Sequence, residues 1–172
     1  MPQAFVITVS DSCYEGSRVD RSGPAVAEVL TVGGFLVAER LTVPDEQAAI
    51  EDALRSCSGR AALVVTTGGT GIAPRDVTPE ATRSVCERLI DGIPELMRAA
   101  GREKTRYASL SRALCGTSGK SLILNLPGSP RGAVTSLTAV LPLVSHALAL
   151  LGGEQASHPE SEEQSEESAQ QS

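Results

Sequence analysis

The run Thr66-Thr67-Gly68-Gly69-Thr70-Gly71 limits what this chain can become more than any other segment does. The apolar residues Ala61 to Val65 lead into it, and Thr78-Pro79-Glu80 downstream has the form of a helix start. A glycine-rich turn therefore sits between a buried strand and a helix. In an α/β sheet, ligands bind at the carboxyl ends of strands, and such a turn marks a phosphate or nucleotide position. Glycine lets the backbone approach a ligand closely and direct its N–H groups inward. The threonines add hydroxyls, and Asp76 adds a carboxylate just beyond the turn.

Apolar runs and helical periodicity alternate along the rest of the chain. Strands are predicted at Ala4–Val9, Phe35–Val43, Ala61–Thr66 and Ser121–Leu126. Helices are predicted at Gly23–Val32 with Ser22 as N-cap, Glu46–Cys57, Thr78–Leu89 with Thr78 as N-cap, Ile93–Ala100 and Arg131–Leu151. Ser10–Ser22 reads as a loop, and Tyr107–Cys115 as either a helical turn or a short edge strand. The expected fold is a three-layer α/β/α domain with a mainly parallel sheet and right-handed crossovers. With no Trp, two Tyr and two Phe, its core must rest on aliphatic side chains.

Of 172 residues, 1–151 are expected to form this domain and 152–172 a disordered acidic tail. Six of the 21 acidic residues lie from Glu154 onward, where no Lys or Arg occurs. The remaining 15 match the 15 basic residues, so the body is formally neutral, which argues against duplex nucleic-acid binding. Cys13, Cys57, Cys86 and Cys115 lack metal-ligand spacing and read as thiols in a reducing cytoplasm. No signal peptide or membrane span is expected: Phe5–Val9 is too short, and the last apolar helix carries Pro142 and His146.

Four polar loops follow apolar strands: Ser10-Asp11-Ser12, Pro44-Asp45-Glu46, Thr67-Gly68-Gly69-Thr70-Gly71 and Asn125-Leu126-Pro127-Gly128-Ser129. Parallel strands would bring all four to one rim. Hydroxyls and N–H groups suit phosphate, and carboxylates suit it when Mg²⁺ bridges the two, so the set points to a nucleoside triphosphate. Taken alone, Asp45 could cap the following helix and Asp76 could close a turn with Thr78. Gly116 to Ser121 imitates a phosphate-binding loop but has Leu114 where its first glycine should be. His146 and His158 are badly placed for a general base, which favours chemistry by positioning and charge neutralisation. Arg75, Lys120 and Arg131 are the cations whose charge and sequence position suit that neutralisation.

The chain resembles the MogA/MoaB family of molybdenum-cofactor biosynthesis proteins, which includes the G domain of gephyrin. The resemblance rests on Thr8–Ser12, Asp20–Gly23, Val43–Glu46, Thr66–Thr82, Leu110–Arg112 and Asn125–Ser129. It implies a molybdopterin adenylyltransferase that joins AMP from Mg-ATP to the terminal phosphate of the pterin. It also implies a homotrimer and hand-over of the product to a molybdenum insertase. Asp45 and Asp76 match the catalytic carboxylates and would hold Mg²⁺. Ser10, Asp11, Asp20, Thr67, Gly68, Gly69, Thr70, Gly71, Asn125, Pro127, Gly128 and Ser129 would bind nucleotide and pterin phosphates. A relative that binds pterin without adenylyl transfer, or a scaffold module using the tail, are the competing functions.

Overall fold

A computed structural model describes residues 1–153. Its strands are β1 (Gln3–Val9), β2 (Leu36–Val43), β3 (Leu63–Thr67), β4 (Arg88–Leu89), β5 (Cys115–Ser118) and β6 (Ser121–Leu126). Its helices are α1 (Asp11–Tyr14), α2 (Ser22–Val32), α3 (Gln47–Cys57), α4 (Thr78–Val85), α5 (Gly92–Arg102) and α6 (Pro130–Leu151), with a 3-10 helix at Arg106–Leu110. The tail expected from 152 onward lies, beyond Gly153, outside the described residues.

The six strands form one sheet in the order β2-β1-β3-β6-β5-β4. Neighbours from β2 to β6 pair in parallel, whereas β5 and β4 add an antiparallel edge. Side-chain alternation sends Ala4 and Val6 of β1 into one core, and Phe5, Ile7 and Val9 into the other. The first core is closed by α2, α5 and α6, through Val26, Leu30, Ile93, Met97, Leu137, Val140 and Val144. The second is closed by α3 and α4, through Ile50, Leu54, Cys57, Ala81 and Val85. The sheet is thus a middle layer apolar on both faces, as expected. Fully burying each such Leu, Ile or Val contributes roughly 1.5–3 kcal/mol. By length and composition α6 could cross a membrane, but Ala133, Leu137, Val140 and Val144 bury one face of it in the first core.

Several expectations need correction. Residues 11–14 form a helical turn inside the expected loop, with Ser10 Oγ accepting from Cys13 N at 3.3 Å. Ser22 lies within α2. The side chain that caps this helix is Asp20, whose Oδ1 accepts from Gly23 N at 3.0 Å and Ser22 Oγ at 3.3 Å. The helix at Thr78 ends at Val85, because Glu87 N and Ile90 N donate to the β5 carbonyls of Thr117 and Cys115 instead of continuing the coil. Tyr107–Cys115 splits into the 3-10 helix and the start of β5. Lys120 sits in the β5–β6 turn, at the amino end of β6 and so at the opposite rim from the polar loops.

Asn125 was expected to bind ligand. Instead it is completely buried, and its amide locks the end of β6 to three other segments. Its Nδ2 donates to Thr66 Oγ1 at 3.0 Å and Thr82 Oγ1 at 2.8 Å, while its Oδ1 accepts from Leu114 N at 3.1 Å. Removing this side chain leaves the Leu114 N–H and two hydroxyls without those partners in a dry site. Asn125→Ala should therefore lower the free energy of unfolding by about 3 kcal/mol in urea denaturation.

Candidate active site

Because β1, β2, β3 and β6 run parallel, their carboxyl ends open on one rim. Two clefts lie along it. The smaller, about 340 Å³, is walled by Ser10, Arg18, Asp20, Arg21, Asp45, Thr67 and Gly68, among others. The larger, about 690 Å³, is walled by Thr70, Gly71, Lys104, Tyr107, Pro127 and Arg131, among others. Gly69, Asp76, Gly128 and Ser129 line both and form the partition between them. Both volumes fall in the range of small-molecule sites.

The glycine loop serves the carboxylates as much as any ligand. Gly68 and Gly69 have φ of +105° and +65°, a region costly to side-chain-bearing residues. A Cβ on Gly68 would run into the Val9 carbonyl, and one on Gly69 would collide with Thr78 Oγ1 and stand 3.2 Å from Asp45 Oδ1. A Cβ on Gly71 would stand 2.7 Å from Asp76 Oδ2. Only a loop without side chains at these points lets Asp45 and Asp76 close in from either side.

Thr78 anchors the loop from below, its hydroxyl donating to Gly68 O at 2.9 Å, and so it does not act as the expected N-cap. Thr67 is buried and donates its hydroxyl to Pro127 O at 2.7 Å, tying the glycine loop to the loop after β6. Ser129 Oγ accepts from Gly132 N at 3.2 Å and caps α6, whose amino end points its N–H groups toward the partition.

The carboxylates have different neighbours. Asp45 Oδ2 accepts from Asp11 N at 2.8 Å, and Asp11 Oδ1 accepts from Asp45 N at 2.9 Å, so the ends of β1 and β2 hold each other. Asp45 therefore does not cap α3. Its carboxyl is pushed above the ordinary range, first by burial and further by the negative charges of Asp11 and Asp76, against the pull of the Asp11 N–H. Asp11 takes a bidentate grip from Arg75, at 2.5 Å from Nε and 2.9 Å from Nη2, which holds its carboxyl below the ordinary range. Neither Asp11 nor Arg75 lines a cleft; Asp11 supports Asp45 directly and Arg75 supports it through Asp11. Asp76 Oδ2 accepts from Ala73 N at 2.9 Å, closing its turn backward and not onto Thr78. Asp20 Oδ2 accepts from Thr8 Oγ1 at 2.7 Å, so its carboxylate is largely engaged although it borders the smaller cleft.

Arg112 carries a role that residue-by-residue reading missed. Its Nε donates to Gly71 O at 2.7 Å, its Nη2 to Asp76 O at 2.8 Å, and its guanidinium pairs with Glu80. Its backbone N–H donates to Thr70 O at 2.8 Å. One side chain thereby fixes the loop that presents Asp76. The cations in the clefts are Arg18 and Arg21 in the smaller and Lys104 and Arg131 in the larger; of these only Arg131 was expected. Burial pushes the Cys57 and Cys86 thiols up to about 11 and Cys115 up to about 12, which removes them as nucleophiles.

Residues 5–146 match the family described as a probable molybdopterin binding domain. The molybdopterin adenylyltransferase of Helicobacter pylori is 41% identical over 152 residues, 86% of each chain. The molybdenum cofactor synthesis protein cinnamon of Drosophila melanogaster is 40% identical over 151 residues, 86% of this chain; the match spans 25% of that longer protein. The solved structure of the molybdopterin biosynthesis enzyme MoaB from Thermus thermophilus has a TM-score of 0.84 and 49% identity, covering 90% of this chain and 98% of that one.

The strain at Asp45 has a measurable sign. A carboxyl whose pKa rises on folding favours the folded state below the unfolded pKa and loses that advantage as pH rises through the folded value. Asp45→Asn keeps an oxygen for the Asp11 N–H and removes the charge. The variant should therefore gain in melting temperature over the parent at pH near 7, and the gain should shrink toward about pH 3.5. Parallel thermal melts of both proteins at the two pH values measure it.

Proposed function

Because this chain belongs to the family of probable molybdopterin binding domains that includes MogA and MoaB, we propose that it is a molybdopterin adenylyltransferase. It transfers AMP from Mg-ATP to the terminal phosphate of molybdopterin and releases pyrophosphate. The observation that carries this reading is the partition: two clefts meet at Asp76, Gly69, Gly128 and Ser129, with Asp45 beside them. A reaction between two phosphorylated molecules suits two adjacent cavities whose occupants meet at a common border.

In that reaction a phosphate oxygen of the pterin forms a bond to the α-phosphorus of ATP, and the bond from that phosphorus to pyrophosphate breaks. Both reactants are anions, so charge is the main obstacle, and no proton has to be shuttled for the bond exchange. Arg18 and Arg21 in one cleft and Lys104 and Arg131 in the other supply fixed positive charge along the phosphates. The backbone of the glycine loop and of the α6 start supplies N–H donors. Asp11 and Arg112 keep Asp45 and Asp76 in place throughout.

Asp45 and Asp76 would hold Mg²⁺. Their chemistry fits it: two carboxylates close enough for one to raise the other's pKa form a site that a cation relieves. No cluster of three or more metal-ligating side chains occurs among the described residues. That suits Mg²⁺, which uses one or two carboxylates and takes its other ligands from substrate phosphates and water. When bound, the ion supplies charge neutralisation at the triphosphate and orientation of the leaving pyrophosphate.

In this reading the protein works in the cytoplasm, whose reducing conditions suit its free cysteines. It assembles as a homotrimer, which gives exposed apolar side chains such as Val32, Leu36 and Leu143 a surface to cover. The product passes to a molybdenum insertase, a hand-over in keeping with a cofactor-synthesis relative four times longer than the matched region.

Purified protein should release pyrophosphate from Mg-ATP only when molybdopterin is added. Asp45→Asn and Asp76→Asn should each lower kcat by about 10²-fold or more with an unchanged circular dichroism spectrum. Full activity in both variants would remove the metal role. Pterin binding without pyrophosphate release would leave the MoaB-type binding protein as the function. Light scattering should report a mass of three chains, and a monomer would overturn the assembly.

A further inference from the structure

Tyr107 has no part in the chemistry above, yet its placement is specific. Aromatic surface is scarce in this chain, with no Trp, two Tyr and two Phe. Both Phe5 and Phe35 are buried, while Tyr107 is 68% exposed on the wall of the larger cleft. The wall is held in place. Thr105 Oγ1 accepts from Tyr107 N at 3.3 Å, and the Arg106 guanidinium lies over the Tyr107 ring, 5.7 Å from its centroid. Gly101 of α5 lets Ala108 pack against it, since a Cβ there would stand 2.7 Å from the Ala108 Cβ.

Leu110, 51% exposed, continues the apolar wall of the same cleft, and Lys104 and Arg131 line it as well. A cavity lined by an exposed ring and two cations is complementary to a flat heterocycle that bears a phosphate. We propose that Tyr107 is a specificity-determining wall that packs on the nitrogen heterocycle of the substrate in the larger cleft, while Arg131 and Lys104 take its phosphate. This deepens the function proposed above and rests on it for the identity of the ligand. Adenine and pterin both have the required chemistry, and the experiment separates them.

Tyr107→Trp gives the chain its sole tryptophan, a reporter that needs no turnover. ATP and molybdopterin are titrated separately. One of them should quench the indole fluorescence saturably, and that one occupies the larger cleft. Tyr14→Trp, exposed but outside both cleft walls, should not respond. Stacking on an aromatic side chain corresponds to roughly 5- to 150-fold in affinity. Tyr107→Ala should raise KM for the quenching substrate by that factor with kcat within about threefold, and Tyr107→Phe should restore it. Absence of quenching by either substrate, with an unchanged KM in Tyr107→Ala, would overturn the proposal. Saturable quenching in a protein that never transfers AMP would uphold the wall and refute the activity; transfer without quenching would do the reverse.

Discussion

At residues 68, 69 and 71 the molecule has room for hydrogen and nothing larger, and the placement of Asp45 and Asp76 depends on that. The Val9 carbonyl, the Thr78 hydroxyl, Asp45 and Asp76 occupy the volumes where side chains would project. Two carboxylates flank this bare segment of backbone, and the charge of Asp76 adds to the burial that disfavours ionisation of Asp45. The surrounding contacts resist their separation. Asp11 and Asp45 exchange backbone and side-chain hydrogen bonds, and Arg112 ties Gly71 and Asp76 to Glu80. The loop is thus a rigid spacer whose emptiness is structural, in addition to any N–H groups it offers a phosphate.

Around it, polar side chains divide into those that hold and those that face the clefts. Thr67, Thr78 and Asn125 spend their hydrogen-bonding capacity inside the protein. Ser10, Asp45, Asp76 and Ser129 border open volume. A residue at the end of a strand joins one group or the other according to which way its side chain turns. In the proposed reaction, preorganisation of this kind lets positioning and electrostatics replace a proton-transferring base.

Much of this was legible beforehand, for reasons that can be traced. The strand Ser121–Leu126 carries a continuous apolar run between turn residues, and the Ile50, Leu54 and Cys57 stripe of α3 repeats at helical spacing, so local pattern decided both. The four loops shared a rim because parallel pairing leaves no alternative. What local pattern could not reveal were contacts made at a distance. The segment after Val85 retains helical composition, but β5 captures its N–H groups. Arg112 reaches backbone carbonyls 41 and 36 residues away, and a carbonyl leaves no mark in a sequence. Lys120 looked suitable on charge and sequence position, and the direction of β6 places it at the far rim. Asn125 had the residue type of a binding loop, and its burial depended on Thr82 arriving from another layer.

The parallel pairing has a kinetic corollary. β1 finds β3 across some 60 residues and β3 finds β6 across a similar span. Residues 8–22 and the ends of β2, β3 and β6 together wall the smaller cleft, and residues 101–136 join the glycine loop to wall the larger, so each cleft is complete only when distant segments meet. Such long-range pairing is slow to form, and a ligand that binds only the folded clefts shifts the folding equilibrium by mass action toward the native side.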